Sequence, residues 1–288
     1  MKKIIVTGSG SGFGLLTVKT LAKQGHTVYA TMRNTNSRNE DNAKSIKQWA
    51  EENNADVRIV ELDVTSDTSV NSAIKKIAED AEGTIDVLIN NAGLFIMGLS
   101  ESLSNKQVDQ LFQVNVLGAD RMIKAVLPYM HAQKSGLLIQ ISSGLSRLHL
   151  PYLGAYTAAK VAIDALAEIY HYELLKSGIE SIVVQPGAYP TTDIFSNQLL
   201  PENEAAVKGY GEYGEKIKQG IGYLFAATPE SPDPQDVADL LAEIVNTPRG
   251  ERKQWTAIGI GAGQPAVDGI NESIGEFSKS VQNALGII

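Results

Sequence analysis

"KKIIVTGSGSGFG" (residues 2–14) joins a β-branched run to a cluster of glycines and then to a helical pattern. The run at 2–7 reads as a buried strand, because Ile4, Ile5 and Val6 suit a pleated, covered surface. Gly8, Gly10, Gly12 and Gly14 then crowd one turn. Glycine permits a tight turn and lets backbone N–H groups come close to a phosphate. The helix that follows adds partial positive charge at its N-terminus. The spacing is an imperfect G-x-G-x-x-G. Read as T-G-x-x-x-G-x-G, it is Thr7, Gly8, Gly12 and Gly14, with Gly10 an extra. A glycine cluster alone also describes a flexible loop; its place between a first strand and a first helix gives it weight.

Outward from this loop, apolar runs and helical patterns alternate. Strands are expected at 26–32, 56–62, 85–91, 136–142 and 179–187, with a further one at 254–259. Helices are expected at 15–23, 41–53, 67–81, 106–130, 152–177 and 234–246. Alternating strands and helices imply parallel βαβ units with right-handed crossovers. Strands that are apolar throughout imply a sheet covered on both faces. The expected fold is α/β: a doubly wound, mostly parallel, Rossmann-like sheet of about seven strands with helices on both faces. One domain over 1–288 is expected, with a substrate-side loop and flap at 187–230 and a helical tail at 260–288.

Of the 288 residues, 43% are hydrophobic and 20% charged, as in an ordinary globular protein with a sizeable core. The net charge of −8 argues against non-specific binding to nucleic acid or anionic membrane. There is no cysteine, which removes disulfides, thiol chemistry and cysteine-ligated metals. No metal-ligand spacing stands out, so no metal is expected. The apolar run after the two N-terminal lysines is too short for a secretory signal. No stretch reaches the ~18 to 20 apolar residues of a membrane span. A cytoplasmic location is the expectation.

Dinucleotide sites often place an acid at the end of the second strand, for the ribose hydroxyls. Here that end reads "YATMRNTNSR" (29–38), with Met32 where the acid belongs and Arg33 after it. An arginine pairs bidentately with a 2′-phosphate, and a carboxylate there would repel it. This favours NADP(H) over NAD(H); a solvated arginine in a polar loop is the bland alternative.

"YLGAYTAAK" (152–160) sets Tyr156 and Lys160 at i and i+4 of an expected helix, so they share a face. A free tyrosine titrates near ~10, and a nearby ammonium is expected to pull that value down. Ser143 ends the fifth strand, where a hydroxyl can hold a substrate oxygen against the tyrosine. Alone, a Y-x-x-x-K is a surface pair.

It is not alone. "TGSGSGFG", "NNAG" (90–93), Asn115 in "FQVNVLG", Ser143 in "ISSG", Tyr156 with Lys160, and "PGAYPT" (186–191) stand in the order and spacing of one family. On these motifs, across about residues 3 to 195, the chain resembles the short-chain dehydrogenase/reductases, in their shorter, non-epimerase branch. The resemblance implies a catalytic set of Asn115, Ser143, Tyr156 and Lys160. Tyr156 is the general acid in carbonyl reduction and the base in alcohol oxidation. Lys160 lowers its proton affinity and holds the nicotinamide ribose. Ser143 orients the carbonyl, and Asn115 supports Lys160 through a water and a kinked helix. The cofactor groove would be lined by Gly8, Ser9, Gly12, Phe13, Gly14, Arg33, Asp63, Val64, Asn90, Ala92, Gly93, Pro186, Gly187 and Thr191, besides Tyr156 and Lys160. Asp63 would bind the adenine amino group. Some NADP-preferring members add a basic residue inside the glycine loop; here Ser9 and Ser11 are neutral. Phosphate binding would then rest mainly on Arg33, with Asn34, Ser37 or Arg38 in support.

The pocket is expected at the C-terminal ends of the strands, from Leu94, Phe95, Met97, Leu145, Arg147, His149, Tyr152, Tyr189 and Phe195. Their apolar character suggests a lipophilic carbonyl or alcohol, although each is as readily explained by packing. The resemblance further implies a homodimer or homotetramer built through the two long helices. An NADP(H)-dependent carbonyl reductase is the leading reading. A non-catalytic NADP-binding regulator and an NAD-dependent alcohol dehydrogenase are the alternatives. A sugar-nucleotide epimerase or dehydratase fits the glycine spacing less well.

Overall fold

The apolar runs form strands β1 (Lys3–Thr7), β2 (Thr27–Met32), β3 (Val57–Glu61), β4 (Val87–Asn90), β5 (Gly136–Ile141), β6 (Ile179–Pro186) and β7 (Trp255–Ile258). Between them run helices α1 (Gly12–Lys23), α2 (Glu40–Glu52), α3 (Asp67–Asp80), α4 (Asn105–Phe112), α5 (Ala119–Gln133), α6 (Gly154–Glu173), α7 (Gly211–Leu224) and α8 (Gln235–Asn246). Helix α9 (Gln264–Ala284) follows β7. The computed structural model describes residues 1–195 and 197–288. Its strands form one parallel sheet in the order β3-β2-β1-β4-β5-β6-β7.

The inner strands β1, β2 and β4 are buried on both sides because both faces are covered, whereas the edge strand β3 carries Arg58 and Glu61. Ile4 and Val6 point to one face, where Val18 and Leu21 of α1, Ile46 of α2 and Leu241 of α8 meet them. Ile5 points to the other, against Ile74 and Ile77 of α3 and Met122 and Val126 of α5. The strand order reverses between β1 and β4, so a crevice opens beyond their C-terminal ends. The glycine loop and the Asn90–Gly93 segment both lie at that crevice.

Local chemistry sets several helix starts. Ser66 caps α3 by accepting from the Ser69 N–H. Ser104 and Gln107 form a reciprocal capping box at α4.

The single long helix expected over 106–130 is instead broken. A π-helical segment, Gln113–Gly118, separates α4 from α5. Asn115 lies within it, and its amide clasps the Leu94 backbone. Leu94 N–H donates to Asn115 Oδ1 at 2.7 Å, and Asn115 Nδ2 donates to Leu94 O at 2.9 Å. Gly118 ends the segment against Val64, where a Cβ would lie 2.9 Å from a Val64 methyl carbon. π-bulges gather where a side chain must be re-aimed. Within the substrate-side segment at 187–230 the chain forms a 3₁₀ segment, Glu204–Tyr210, and α7.

Candidate active site

The glycine loop is a tightly packed cradle. Gly8 has φ +68°, and a Cβ there would sit 2.8 Å from the Ala92 Cα. A Cβ on Gly14 would meet the Gly8 carbonyl at 2.3 Å and the Asn91 amide at 2.5 Å. Thr7 and Asn91 tie the loop to the end of β4. Asn91 N–H and Ala92 N–H both donate to Thr7 Oγ1 at 3.0 Å, and Asn91 Nδ2 donates to Thr7 O at 2.9 Å. Ser11, at the α1 N-cap, makes no side-chain capping bond. The first amides of α1 therefore have no side-chain cap, as anion binding requires. Ser9 turns inward: its N–H donates to Thr31 O at 3.1 Å and its hydroxyl to Val6 O at 2.8 Å. It shapes the loop rather than presenting a polar group to the crevice. Phe13 packs edge-on against Tyr189, ring centroids 5.1 Å apart.

Arg33 lies exposed at the end of β2. The loop after it is fixed by Glu61, which accepts from the Asn34 and Thr35 N–H groups at 2.6 and 2.7 Å. Asn39 Nδ2 donates to the Arg33 carbonyl at 2.6 Å. These bonds set where Arg33 leaves the sheet. Asn34, Ser37 and Arg38 are exposed on the same loop. Asp63 lies two residues beyond the end of β3, with Oδ1 accepting from the Thr65 N–H and hydroxyl at 2.9 and 2.7 Å. Val64 follows it, against Gly118. At β6, Pro186 pairs with Ile258, and Gly187 N–H donates to Ile258 O at 2.8 Å. Thr191 is exposed beyond them. Asn90 sits inside the sheet, its amide donating to Gln140 at 2.9 Å. Gly93 lies beside Asn115, where a Cβ would be 3.6 Å from Oδ1.

Tyr156, Lys160 and Ser143 are all buried, at 6%, 7% and 7% exposure. The Ser143 hydroxyl, which accepts from the Leu145 N–H at 3.2 Å, faces the Tyr156 phenol. Lys160 Nζ donates to Ile141 O at 2.8 Å and lies 5.6 Å from the Tyr156 ring centroid. The phenol's pKa moves opposite to the sequence expectation. Burial pushes it above the usual tyrosine value, opposed by the neighbouring Ser143 hydroxyl. Burial also brings Lys160 down to about 8, against the pull of Asp164. The ammonium is directed at a carbonyl rather than at the phenol, so it does not reverse the cost of burying a phenolate.

An apolar wall covers this group. Phe95 meets Tyr156 edge-on with centroids 4.7 Å apart, and Phe195 and Phe225 pack on Phe95 at 5.2 and 5.9 Å. Leu94, Met97, Leu145 and Tyr152 belong to the same cluster, as do Ile217 and Ile221 of α7. Three residues expected in the pocket lie elsewhere. Arg147 turns into an ion-pair cluster behind Lys160, 2.8 Å from Glu168. Tyr189 is buried in the opposite core with Phe13. His149 is exposed on its loop.

Sequence reasoning also passed over residues that the fold recruits. Asp164 continues the Tyr156–Lys160 face by one more turn, a signal the i+4 spacing carries. Thr7 and Asn91, both within the expected glycine and NNAG motifs, do more than line the groove: they tie the glycine loop to the end of β4. Phe225 carries no local signal, because only the tertiary path of the chain brings it to Phe95.

Among the described residues no group of acids and histidines could hold a metal ion, and no helix is long and apolar enough to cross a membrane.

Residues 2–202 match the family model for short chain dehydrogenase. The chain is 36% identical over 251 residues to an uncharacterized oxidoreductase, YusZ, of Bacillus subtilis, covering 84% of each chain. It is 37% identical over 188 residues to the 3-ketodihydrosphingosine reductase of Bacteroides thetaiotaomicron, covering 65% of this chain and 64% of that one. A solved short-chain dehydrogenase from Streptomyces avermitilis superposes with a TM-score of 0.78 at 26% identity, covering 99% of this chain and 97% of that one.

Proposed function

The chain belongs to the short-chain dehydrogenase family, and from that membership we propose that it is an NADP(H)-dependent reductase of lipophilic ketones or aldehydes. That it is an oxidoreductase acting on CH–OH groups follows from the family. The observation that carries the finer reading is Tyr156, buried beside Ser143 under a wall of three phenylalanines.

The residues present fit a dinucleotide. A Cβ at Gly8 or Gly14 would fill the cradle, the α1 N-terminus has no side-chain cap, and a cation stands at the end of β2. Gly8, Gly12, Gly14, Ala92 and Gly93 would hold the cofactor, with Asp63 toward the adenine and Lys160 toward the nicotinamide ribose. Arg33 would take the 2′-phosphate. When bound, the nicotinamide supplies or accepts a hydride. Every other part of the reaction falls to the chain. Ser143 holds the substrate oxygen beside the phenol. Tyr156, kept neutral by burial, donates its proton to that oxygen as negative charge develops. Phe95, Phe195 and Phe225 exclude water and receive the apolar body of the substrate. A phenol held in its neutral form suits reduction better than oxidation. A long-chain ketone is consistent with the name of the sphingosine-type relative. The flap of the reading is the segment carrying Phe195, α7 and Phe225. The apolar side chains Leu117 before α5, and Val161 and Ile169 on α6, are exposed. They fit a homodimer or homotetramer, which light scattering would show as twice or four times the chain mass.

Titrating with NADPH and NADH, followed by nicotinamide fluorescence, tests the cofactor. Wild type is expected to prefer NADPH. Arg33→Ala is expected to weaken NADPH about 10- to 100-fold, the loss of one bidentate charge-assisted contact, and to leave NADH nearly unchanged. Equal losses for both cofactors would remove Arg33 from phosphate recognition. A screen of aliphatic and aromatic ketones at the NADPH absorbance tests the reaction, and turnover of none would sink the reductase reading. Phe225→Ala is expected to raise KM for long apolar ketones about 10-fold, in line with one lost aromatic contact, and to leave small ketones nearly unaffected.

A further inference from the structure

Around Lys160 lies a cluster of four charged side chains, Lys160, Arg147, Asp164 and Glu168, of which Glu168 keeps 17% of its side chain exposed. Tyr156, Lys160 and Asp164 occupy successive turns of one face of α6, and Asp164 is 0% exposed. Asp164 Oδ2 accepts from Gln185 Nε2 at 2.8 Å and lies 3.5 Å from Arg147 Nη1. Arg147 also bonds Glu168 through Nη2 at 2.8 Å, and Trp255 Nε1 donates to the same Glu168 oxygen at 2.8 Å. The C-terminal helix closes the cluster. Asn271 of α9 is 4% exposed, accepts from Arg147 Nε at 2.8 Å and donates to Gln185 Oε1 at 2.7 Å. One turn later, Gly275 lets α9 lie against Trp255; a Cβ there would be 2.9 Å from the indole.

The charges balance. Arg147 lies against both Asp164 and Glu168, while Lys160, whose Nζ donates to Ile141 O, stands one helical turn from Asp164. Burial raises the Asp164 carboxyl, and Arg147 and Gln185 oppose that rise. Other elements packed here contribute the uncharged Ser142, Gln185, Trp255 and Asn271, and Tyr156 is neutral. Removing Asp164, the one fully buried anion, leaves two cations against the partly exposed Glu168. Arginine does not release its proton, so the lysine must. We infer that Asp164 is a positioning residue for the reaction: it is the counter-charge that keeps Lys160 an ammonium, and the C-terminal helix holds it in place through Asn271. The role of that ammonium rests on the reductase reading above; the charge balance does not.

The apo protein therefore supplies the test. Folding lowers the Lys160 value from 10.5 to about 8, burial lowering it and Asp164 raising it. The folded state then sheds this proton before the unfolded state does. The cost of the buried ammonium is full below about 8 and is relieved as pH rises toward 10.5. Thermal melting of wild type and Asp164→Asn, an isostere without the charge, should be followed from about pH 6 to 10. The variant's rise in stability is expected to begin about one pH unit lower. A profile that superimposes on wild type, or is displaced equally at every pH, overturns the proposal. If Asp164→Asn does not fold, Arg147→Met serves. It removes a cation, so the rise is expected to stay or move to higher pH, and a move to lower pH overturns the proposal. NADPH titration of the same proteins separates the two readings. Wild type that fails to bind NADPH refutes the reductase and leaves the melting result standing.

Discussion

Tyr156→Phe is expected to lower kcat for carbonyl reduction on the order of 1,000-fold, while NADPH affinity changes less than about twofold. The substitution removes one hydroxyl and nothing else of size. The ring would still meet Phe95 edge-on at a centroid distance of 4.7 Å, so the apolar wall stays packed. Losing the phenol's polar contact with the Ser143 hydroxyl costs at most about 1 kcal/mol, too little to unfold a domain with so extensive a core. A loss of rate with melting nearly unchanged then assigns the proton to the phenol. Burial holds that phenol protonated through neutrality. Lys160, by contrast, gives up its proton near 8. Reduction by the wild type is accordingly expected to stay level through neutral pH and to fall as pH rises past about 8. Initial rates at the nicotinamide absorbance check both expectations. A Tyr156→Phe variant retaining more than about a tenth of the wild-type rate would place the acid elsewhere.

The parts of this architecture legible in the sequence are those set by local chemistry. A strand buried on both faces must be apolar throughout, so Ile4, Ile5 and Val6 announce β1 without any knowledge of what covers them. Gly8 and Gly14 are demanded by contacts within one turn and its neighbour strand. The Tyr156–Lys160 pair follows from helical spacing. What was not legible depends on long-range packing. The break at Gln113–Gly118 arises because Asn115 clasps Leu94, twenty-one positions back, and no window on the helix shows that. The direction of the phenol's shift needed the depth of burial, which the i+4 pairing does not give. Arg147 looked like a pocket residue because it follows Ser143 closely, yet a 3₁₀ turn at Gly144–Ser146 rotates it toward Asp164 and α9. Phe225 and Asn271 reach the site from segments that read only as a flap and a polar tail.

Gly14→Ala separates propensity from packing, and the two have opposite signs. Gly14 lies in the first turn of α1, and replacing glycine by alanine within a helix favours the helix by up to about 1 kcal/mol. The new Cβ, however, would lie 2.3 Å from the Gly8 carbonyl oxygen and 2.5 Å from Asn91 Nδ2. Neither neighbour is the loose end of a flexible chain. The carbonyl is backbone at a residue with φ +68°, and the amide already donates to Thr7 O and Gly8 O at 2.9 and 3.1 Å. Overpacking of this kind costs about 1–3 kcal/mol, and each Asn91 bond that must open adds about 1 kcal/mol. Packing therefore wins. The variant is expected to melt roughly 5–10 °C lower than wild type. NADPH binding is expected to weaken at least about 10-fold, because the α1 N-terminus can no longer sit against the loop. Gly10→Ala is the control in the same turn. Its Cβ would find the Asn42 side chain at 3.4 Å and nothing nearer, so melting and binding should stay close to wild type. Differential scanning fluorimetry and NADPH titration on both proteins read the contrast. If Gly14→Ala melts at or above wild type, the loop yields to the methyl group, and close approach of β1, α1 and β4 is not what requires glycine there.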